Sequence, residues 1–146
     1  MNMPLSVQKI NEGTVIDHIA AGAGDRVLQI LSSSYPLKGM AALIINAPSK
    51  KFGRKDIVKI EGVFIEEKIA NRIALIAPEA TMNIIKGGRV VDKHHVEMPR
   101  SLSGLVKCPN PKCITNFERV ETTFIHEGKF LRCRHCERAF APGELA

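Results

Sequence analysis

The cysteines of this chain stand at positions 108, 113, 133 and 136 and nowhere else. The pattern is Cys-x4-Cys, nineteen residues, then Cys-x2-Cys. Each close pair is spaced to form a knuckle that turns two sulfurs onto one ion. Four soft ligands suit Zn²⁺, which takes a tetrahedron with bonds of about 2.3 Å to sulfur. A reducing compartment disfavours disulfides, and Pro109 and Pro111 stiffen the first knuckle. The expectation is one structural Zn²⁺ per chain, held by Cys108, Cys113, Cys133 and Cys136. A disulfide pair and an iron–sulfur or redox site are the competing uses of such a cluster. Four sulfurs leave no open position for water, so the metal is not expected to catalyse. His135 and His126 could each replace a cysteine as ligand. Otherwise they are surface residues.

A second group of polar residues stands in the first hundred positions. Asp17 and His18 close one β-rich run. Lys55 and Lys59 lie in another, on one face by period-two counting, with Ile57 between them. Asn83, Ile85, Val90 and Lys93 flank Gly87-Gly88. Cations for phosphates, an aspartate for a ribose hydroxyl and aliphatic side chains for a base would suit a nucleotide. The plainer reading is that the lysines are solvated and His18 simply pairs with Asp17. Strand parity also constrains the nucleotide reading. Asp17 and His18 point to opposite faces of a regular strand, so the strand must twist or end there. A regular hairpin pairs Ile85 with Val90 but leaves Lys93 on the wrong face, so a bulge is required. The basic run Lys50-Lys51-Phe52-Gly53-Arg54-Lys55 reads as solvated rather than functional. No Walker loop, G-x-G-x-x-G, nucleophile elbow, zinc-protease motif or carboxylate pair occurs.

The elements that must position these residues alternate. Thr14 to Ile19 reads as a strand, and Gly22 and Gly24 end it. Asp25 to Ser34 reads as a helix, with Asp25 at its N-terminus and Val27, Leu28 and Leu31 at helical spacing. Gly39 to Asn46 reads as a buried strand, 48 to 53 as a loop, and Lys55 to Val63 as the next strand. A second helix opens at Glu66-Glu67, carries Ile65, Ile69, Ile73 and Ile76 as its apolar stripe, and stops at Pro78. Thr81 to Lys86 and Arg89 to Val96 form a type I′ hairpin around Gly87-Gly88. The order β-α-β-β-α-β with one added strand predicts an α+β, ferredoxin-like antiparallel sheet with two helices on one face.

Pro99 and its polar neighbours mark a boundary, so the domains are taken as 1–99 and 100–146. The second is too small to fold without a staple, which the cysteines supply. It reads as a small all-β zinc domain. Its phenylalanines, Phe117, Phe124, Phe130 and Phe140, are expected in its core. From spacing alone, protein contact and nucleic-acid binding stay equally open for it.

The bulk composition is that of an ordinary folded protein. Of 146 residues, 45% are hydrophobic, enough for a real core. No apolar run reaches the roughly 20 residues of a membrane span, and no signal-peptide pattern opens the chain. A cytoplasmic, soluble protein is the expectation. The net charge is +6. It divides evenly, with thirteen basic against ten acidic residues before Arg100 and eight against five from there. A dedicated nucleic-acid face would be more lopsided.

Several stretches together resemble one family. They are Gly13-Thr-Val-Ile-Asp-His-Ile19, Gly53-Arg-Lys-Asp-Ile-Val-Lys-Ile-Glu61, Ala77-Pro-Glu-Ala-Thr-Met-Asn83, Val106-Lys-Cys-Pro-Asn-Pro-Lys-Cys-Ile114 and Cys133-Arg-His-Cys-Glu137. In this order, with this cysteine spacing, they resemble the regulatory chain of aspartate carbamoyltransferase over essentially the whole length. The resemblance implies a non-catalytic subunit of pyrimidine biosynthesis that binds the effectors CTP and ATP in its N-terminal domain. It implies a zinc domain docked on the catalytic chain, and regulatory dimers bridging catalytic trimers. It implies that Asp17 and Lys59 contact the ribose, with Lys59 also on the base, and that His18 and Lys93 face the phosphates. Ile10, Ile57, Asn83, Ile85 and Val90 would line the rest, with Lys55 nearby. Two positions depart from the best-known bacterial pattern: Gln8 replaces an acidic residue and Gly88 a tyrosine near the base. The alternative reading is a zinc-ribbon nucleic-acid-binding protein, which leaves the Asp17-His18 and Lys55-Lys59 pairs without a purpose.

Overall fold

The computed structural model describes residues 10–145. The arm position Gln8, with Val7 and Lys9, lies outside the described residues. The first part runs β1 (Gly13–Ala20), α1 (Gly24–Ser34), β2 (Ala41–Ser49), β3 (Gly53–Glu61), α2 (Glu67–Ile76), β4 (Thr81–Lys86) and β5 (Arg89–His95). Its strands form one antiparallel sheet in the order β2-β3-β1-β4-β5. That is the ferredoxin-like order with β5 added at the edge, as expected.

Strand alternation decides what each face carries. Ile16, Val58, Ile60 and Met82 point to one face and are buried against Val27, Ile30 and Leu31 of α1 and Ile69 and Ile73 of α2. Residues of the opposite parity, including Val15, Lys59 and Asn83, point away from the helices. Two readings of the sequence need correction here. The strand expected to be buried, β2, is an edge strand: among the described residues it pairs only with β3, and it is half-exposed, with Ile45 62% exposed. Apolar content did not place it inside because a sheet edge has a neighbour on one side only. It also runs through Pro48 to Ser49, so the expected loop shrinks to a tight turn at 50–52.

Asp25 lies in the first turn of α1, as expected, and its Oδ1 accepts the N–H of Arg26 next to it, at 2.9 Å. The cap comes from β3. Asp56, 1% exposed, accepts the N–H groups of Gly22 and Gly24 on Oδ2 at 3.0 and 2.9 Å, and that of Asn46 on Oδ1 at 3.1 Å. A buried carboxylate at a helix N-terminus satisfies orphan donors and meets the positive end of the helix dipole. Gly24 is glycine because a Cβ there would lie 2.6 Å from Leu43 Cδ1 and 2.8 Å from the Asp56 carboxylate.

Residues 96–100 lead from β5 to a second antiparallel sheet of β6 (Ser101–Ser103), β7 (Thr123–Glu127), β8 (Phe130–Cys133) and β9 (Ala139–Phe140), ordered β6-β7-β8-β9. A short helix, α3 (Pro142–Leu145), follows. The second core holds Leu102, Val106, Phe124, Leu131, Phe140 and the cysteines, and it takes in Leu75 from α2. Arg26 adds a polar link, donating from Nη2 to the Gly143 carbonyl at 3.1 Å. Among the described residues no helix is long and apolar enough to cross a membrane.

Replacing Asp56 by alanine would strand three backbone donors, each worth about 1–3 kcal/mol when buried without a partner. The expected outcome for Asp56→Ala is a loss of roughly 3 kcal/mol in urea unfolding of the first domain. A loss below about 1 kcal/mol would show that the carboxylate is not the organising contact.

Candidate functional sites

The cysteine sulfurs all lie within 4.8 Å of one another. Cys108 and Cys136 approach to 3.8 Å, as do Cys113 and Cys133. A tetrahedron with metal–sulfur bonds of about 2.3 Å has edges of about 3.8 Å. No disulfide links them. The donor set is closed and soft, and three of its four residues are buried. It is the expected structural zinc site, one ion per chain.

Local backbone explains how the sulfurs converge. Asn116 donates from Nδ2 to the carbonyls of Cys108 and Asn110 at 3.1 and 2.7 Å, which closes the first knuckle. The second knuckle turns through Glu137, whose φ is 65°. Thr115 Oγ1 donates to Cys113 Sγ at 3.1 Å, and the N–H groups of His135 and Cys136 donate to Cys133 Sγ at 3.4 and 3.5 Å. These bonds favour thiolates, the form that binds metal.

The thiols divide into two kinds. Burial pushes Cys108 up to about 12, and burial also raises Cys133. Burial opposes ionisation of Cys136 as well, but hydrogen bonds from Asn110, the Arg138 backbone and the neighbouring thiols outweigh it and bring it down to about 7. Cys113 is lowered likewise: Thr115 and the adjacent thiols overcome its burial. Each 3.8 Å pair thus joins a proton holder to a proton acceptor. The histidines stay outside the set. His135 is exposed and its Nε2 meets the Glu121 carbonyl at 3.0 Å. His126 is half-buried in β7, where its N–H donates to the Arg100 carbonyl.

The aromatics need correction. Phe124 and Phe140 are core residues in edge-to-face contact at 6.4 Å. Phe117 and Phe130 are 73% and 51% exposed. A sheet of four short strands has one inner face, and it is filled before these two rings are reached. Phe117 follows the 3₁₀ turn Ile114–Asn116, and exposed Ile114 and Val120 flank it in sequence.

The second candidate site lies on the helix-free face of the first sheet, and two bulges shape it. In β1, Ile16 pairs with Val58 but Ile19 pairs with Asp56, so Asp17 and His18 oppose one residue of β3. His18 takes the left-handed conformation, φ 57°. In β5, Ile85 pairs with Val90 and Ile84 with Asp92, leaving Val91 as the extra residue. Lys93 is thereby brought opposite Asn83. Both irregularities meet the parity requirements read from the sequence. Gly87 and Gly88, both at positive φ of 60° and 76°, make the type I′ turn between them.

The register now lines Lys59, Val15, Asn83 and Lys93 across four strands. Beside that row a cleft of about 590 Å³ is lined by Ile10, Lys59, Asn83, Ile85 and Val90, joined by Val15, Gly88 and Arg89. At the other end of the face, Asp17 and Lys55 form an ion pair at 2.9 Å, and His18 Nδ1 meets Thr81 Oγ1 at 3.2 Å. Burial works against the charge on Asp17, but Lys55, with the His18 backbone, holds its carboxyl below the usual range. It is therefore ionised at neutral pH. Ile57 sits half-buried between Lys55 and Lys59 in β3. Asp17, His18, Lys55, Ile57 and Lys93 do not line the cleft itself. Val15 and Arg89 were missed in the sequence. Val15 shares parity with Asp17 and could have been found; Arg89 follows a turn and carried no signal.

Residues 5–97 match the family described as aspartate carbamoyltransferase regulatory chain, allosteric domain. Residues 100–145 match aspartate carbamoyltransferase regulatory chain, metal binding domain. Similar proteins named aspartate carbamoyltransferase regulatory chain include one from Pyrococcus horikoshii, 50% identical over 97% of this chain and 95% of its own length. One from Thermococcus kodakarensis is 47% identical over the same shares, and one from Methanopyrus kandleri 44% identical over 99% and 96%.

Two measurements bear on the metal. The cobalt-substituted chain should show tetrathiolate charge-transfer bands, and Cys113→Ser should diminish them; a spectrum with imidazole in the set would overturn the four-sulfur assignment. Since Cys108 and Cys133 hold their protons at neutral pH in the absence of metal, zinc uptake at pH 7 should release roughly two or more protons, read by a pH indicator. Acid should release the metal.

Proposed function

This chain belongs to the family of aspartate carbamoyltransferase regulatory chains, non-catalytic subunits of an enzyme of pyrimidine biosynthesis, and from that premise we propose how it regulates. The first domain binds nucleotide effectors, CTP and ATP, on the helix-free face of its sheet. The zinc domain docks on the catalytic chain and passes the signal on. Two copies pair as a regulatory dimer, and the complex works in the cytoplasm, where thiols stay reduced.

The observation that carries the effector reading is the bulge in β5. It turns Lys93 onto the face that Lys59, Asn83 and Val15 share, beside a cleft with aliphatic walls. Apolar walls suit a base, and the cation row suits a phosphate chain. Asp17 and Lys59 serve the ribose, Lys59 also the base, and His18 and Lys93 the phosphates. Ile10, Ile57, Asn83, Ile85 and Val90 enclose the nucleotide, and Lys55 orients Asp17. Gly88 offers no side chain to the base. Arg89 stands next to it and is available to bias base preference.

Protein contact is preferred over nucleic acid for the zinc domain. Ile114, Phe117 and Val120 are exposed in the segment that follows the first knuckle, the composition expected of a docking surface rather than of a phosphate-binding one. The metal holds that segment in place. The exposed edge of β2, with Ile45 outward, is available for pairing between copies. Leu75 in the second core and the Arg26–Gly143 bond give the two domains a shared seam through which an effector's preference can pass. The shift it produces is bounded by the effector's differential affinity for the two states, commonly about 1–3 kcal/mol.

Calorimetry on the zinc-loaded chain tests the pocket. Lys93→Glu should weaken CTP and ATP at least tenfold, about 1.4 kcal/mol, with zinc content unchanged. Equal affinity in the variant would refute the assignment. Docking is tested by copurification: a catalytic chain should be retained by the intact protein and lost after treatment with a mercurial. Retention after metal removal would sink the claim that zinc shapes the docking surface.

A further inference from the structure

The basic turn between β2 and β3 is not solvated in the way its composition implies. Phe52 packs edge-on against the His18 ring, centroids 6.2 Å apart at 78°. Its N–H donates to Ser49 Oγ at 3.2 Å, which folds the turn back. Lys51 Nζ lies 5.2 Å from the Phe52 ring centroid and pairs with Glu79 Oε2 at 3.2 Å. The ring contact of Phe52 with His18 therefore fixes a second ammonium group next to the phosphate end of the sheet face.

Lys55 is engaged with Asp17 at 2.9 Å. Lys59, at the cleft, is assigned to ribose and base. His18 uses Nδ1 on Thr81, which leaves Nε2 for another partner. A terminal phosphate carries about −1.5 to −2 charge at neutral pH, so the ammonium of Lys93, with the His18 ring as a hydrogen-bonding partner, suits a short phosphate chain better than a long one. Lys51 supplies a further cation, and its present partner is weakly held. Both members of the Lys51–Glu79 pair are half-exposed or more, at 50% and 62%, and exposed pairs contribute little. A polyphosphate, with more charge in less space, displaces Glu79 at small cost.

We propose that Lys51 reads the length of the phosphate chain: it exchanges Glu79 for the outer phosphates of a nucleoside triphosphate and makes the site select triphosphates over monophosphates. Phe52 is its positioning residue, acting through the stack on His18. This inference rests on the effector-pocket reading above.

The test compares CTP with CMP by calorimetry on the full, zinc-loaded chain. Lys51→Ala should weaken CTP about fivefold to tenfold and leave CMP unchanged. Glu79→Gln, which removes the internal competitor, should tighten CTP a few-fold and again leave CMP unchanged. Lys51→Arg keeps the charge and should bind CTP like the native chain, which separates charge from damage to the turn. Equal losses for CTP and CMP, or none for either, overturn the inference, as does a Lys51→Arg that behaves like Lys51→Ala. If the native chain binds neither nucleotide, the pocket reading fails and takes this one with it. If it binds CTP and the Lys51 variants match it, this inference alone is refuted.

Discussion

Asp56 lies in β3 with almost no exposure, and its carboxylate accepts three backbone N–H bonds from two other segments. Two of those donors sit where β1 gives way to α1. The third is Asn46, in the left-handed conformation at the bulge of β2. One side chain thus settles where the first helix begins and how the edge strand bends. It also stands opposite Ile19, at the far end of the β1 bulge that reorients Asp17 and His18. A buried carboxylate without such partners would be expensive, so the arrangement stands or falls together. The geometry of the helix-free face of the sheet depends on it at one remove.

The zinc domain relies on a different physical device. Its inner face is small, with two aromatic rings and a few aliphatic side chains around the cysteines. Four sulfurs at this spacing join two knuckles that are distant in sequence, and the ion supplies the cohesion that so small a core lacks. The result frees apolar residues for the surface. Phe117, Ile114 and Val120 remain exposed because the metal rather than their burial holds the loop that carries them. Stability and a sticky surface, normally in conflict, are compatible here.

The two domains meet through modest contacts. Leu75, on α2, packs into the second core rather than the first, and Arg26 reaches the carbonyl of Gly143. A seam of this kind joins the two domains without welding them together, which is compatible with the transmission proposed for this regulatory chain.

The cysteine site was legible in the sequence because short-range spacing fixes it: two knuckles need only local backbone to present their sulfurs. The ferredoxin-like order was legible for a similar reason, since period two, period 3.6 and the Gly87-Gly88 turn are local signals. The parity of Asp17 with His18, and of Val90 with Lys93, even stated where bulges must fall if those residues were to share a face. What the sequence could not decide was which neighbour each element would meet. Asp25 was legible in the first turn of α1, but no local signal announced that Asp56 of another strand would hold the N–H groups at that helix start. Gly39 to Asn46 looked like a buried strand, yet it became an edge. Phe117 and Phe130 looked like core and stayed outside, while Phe52, in a turn that read as solvated, found His18. Residue type and period are properties of the chain alone; burial and partnership depend on which elements share the space, and only tertiary packing allots that space.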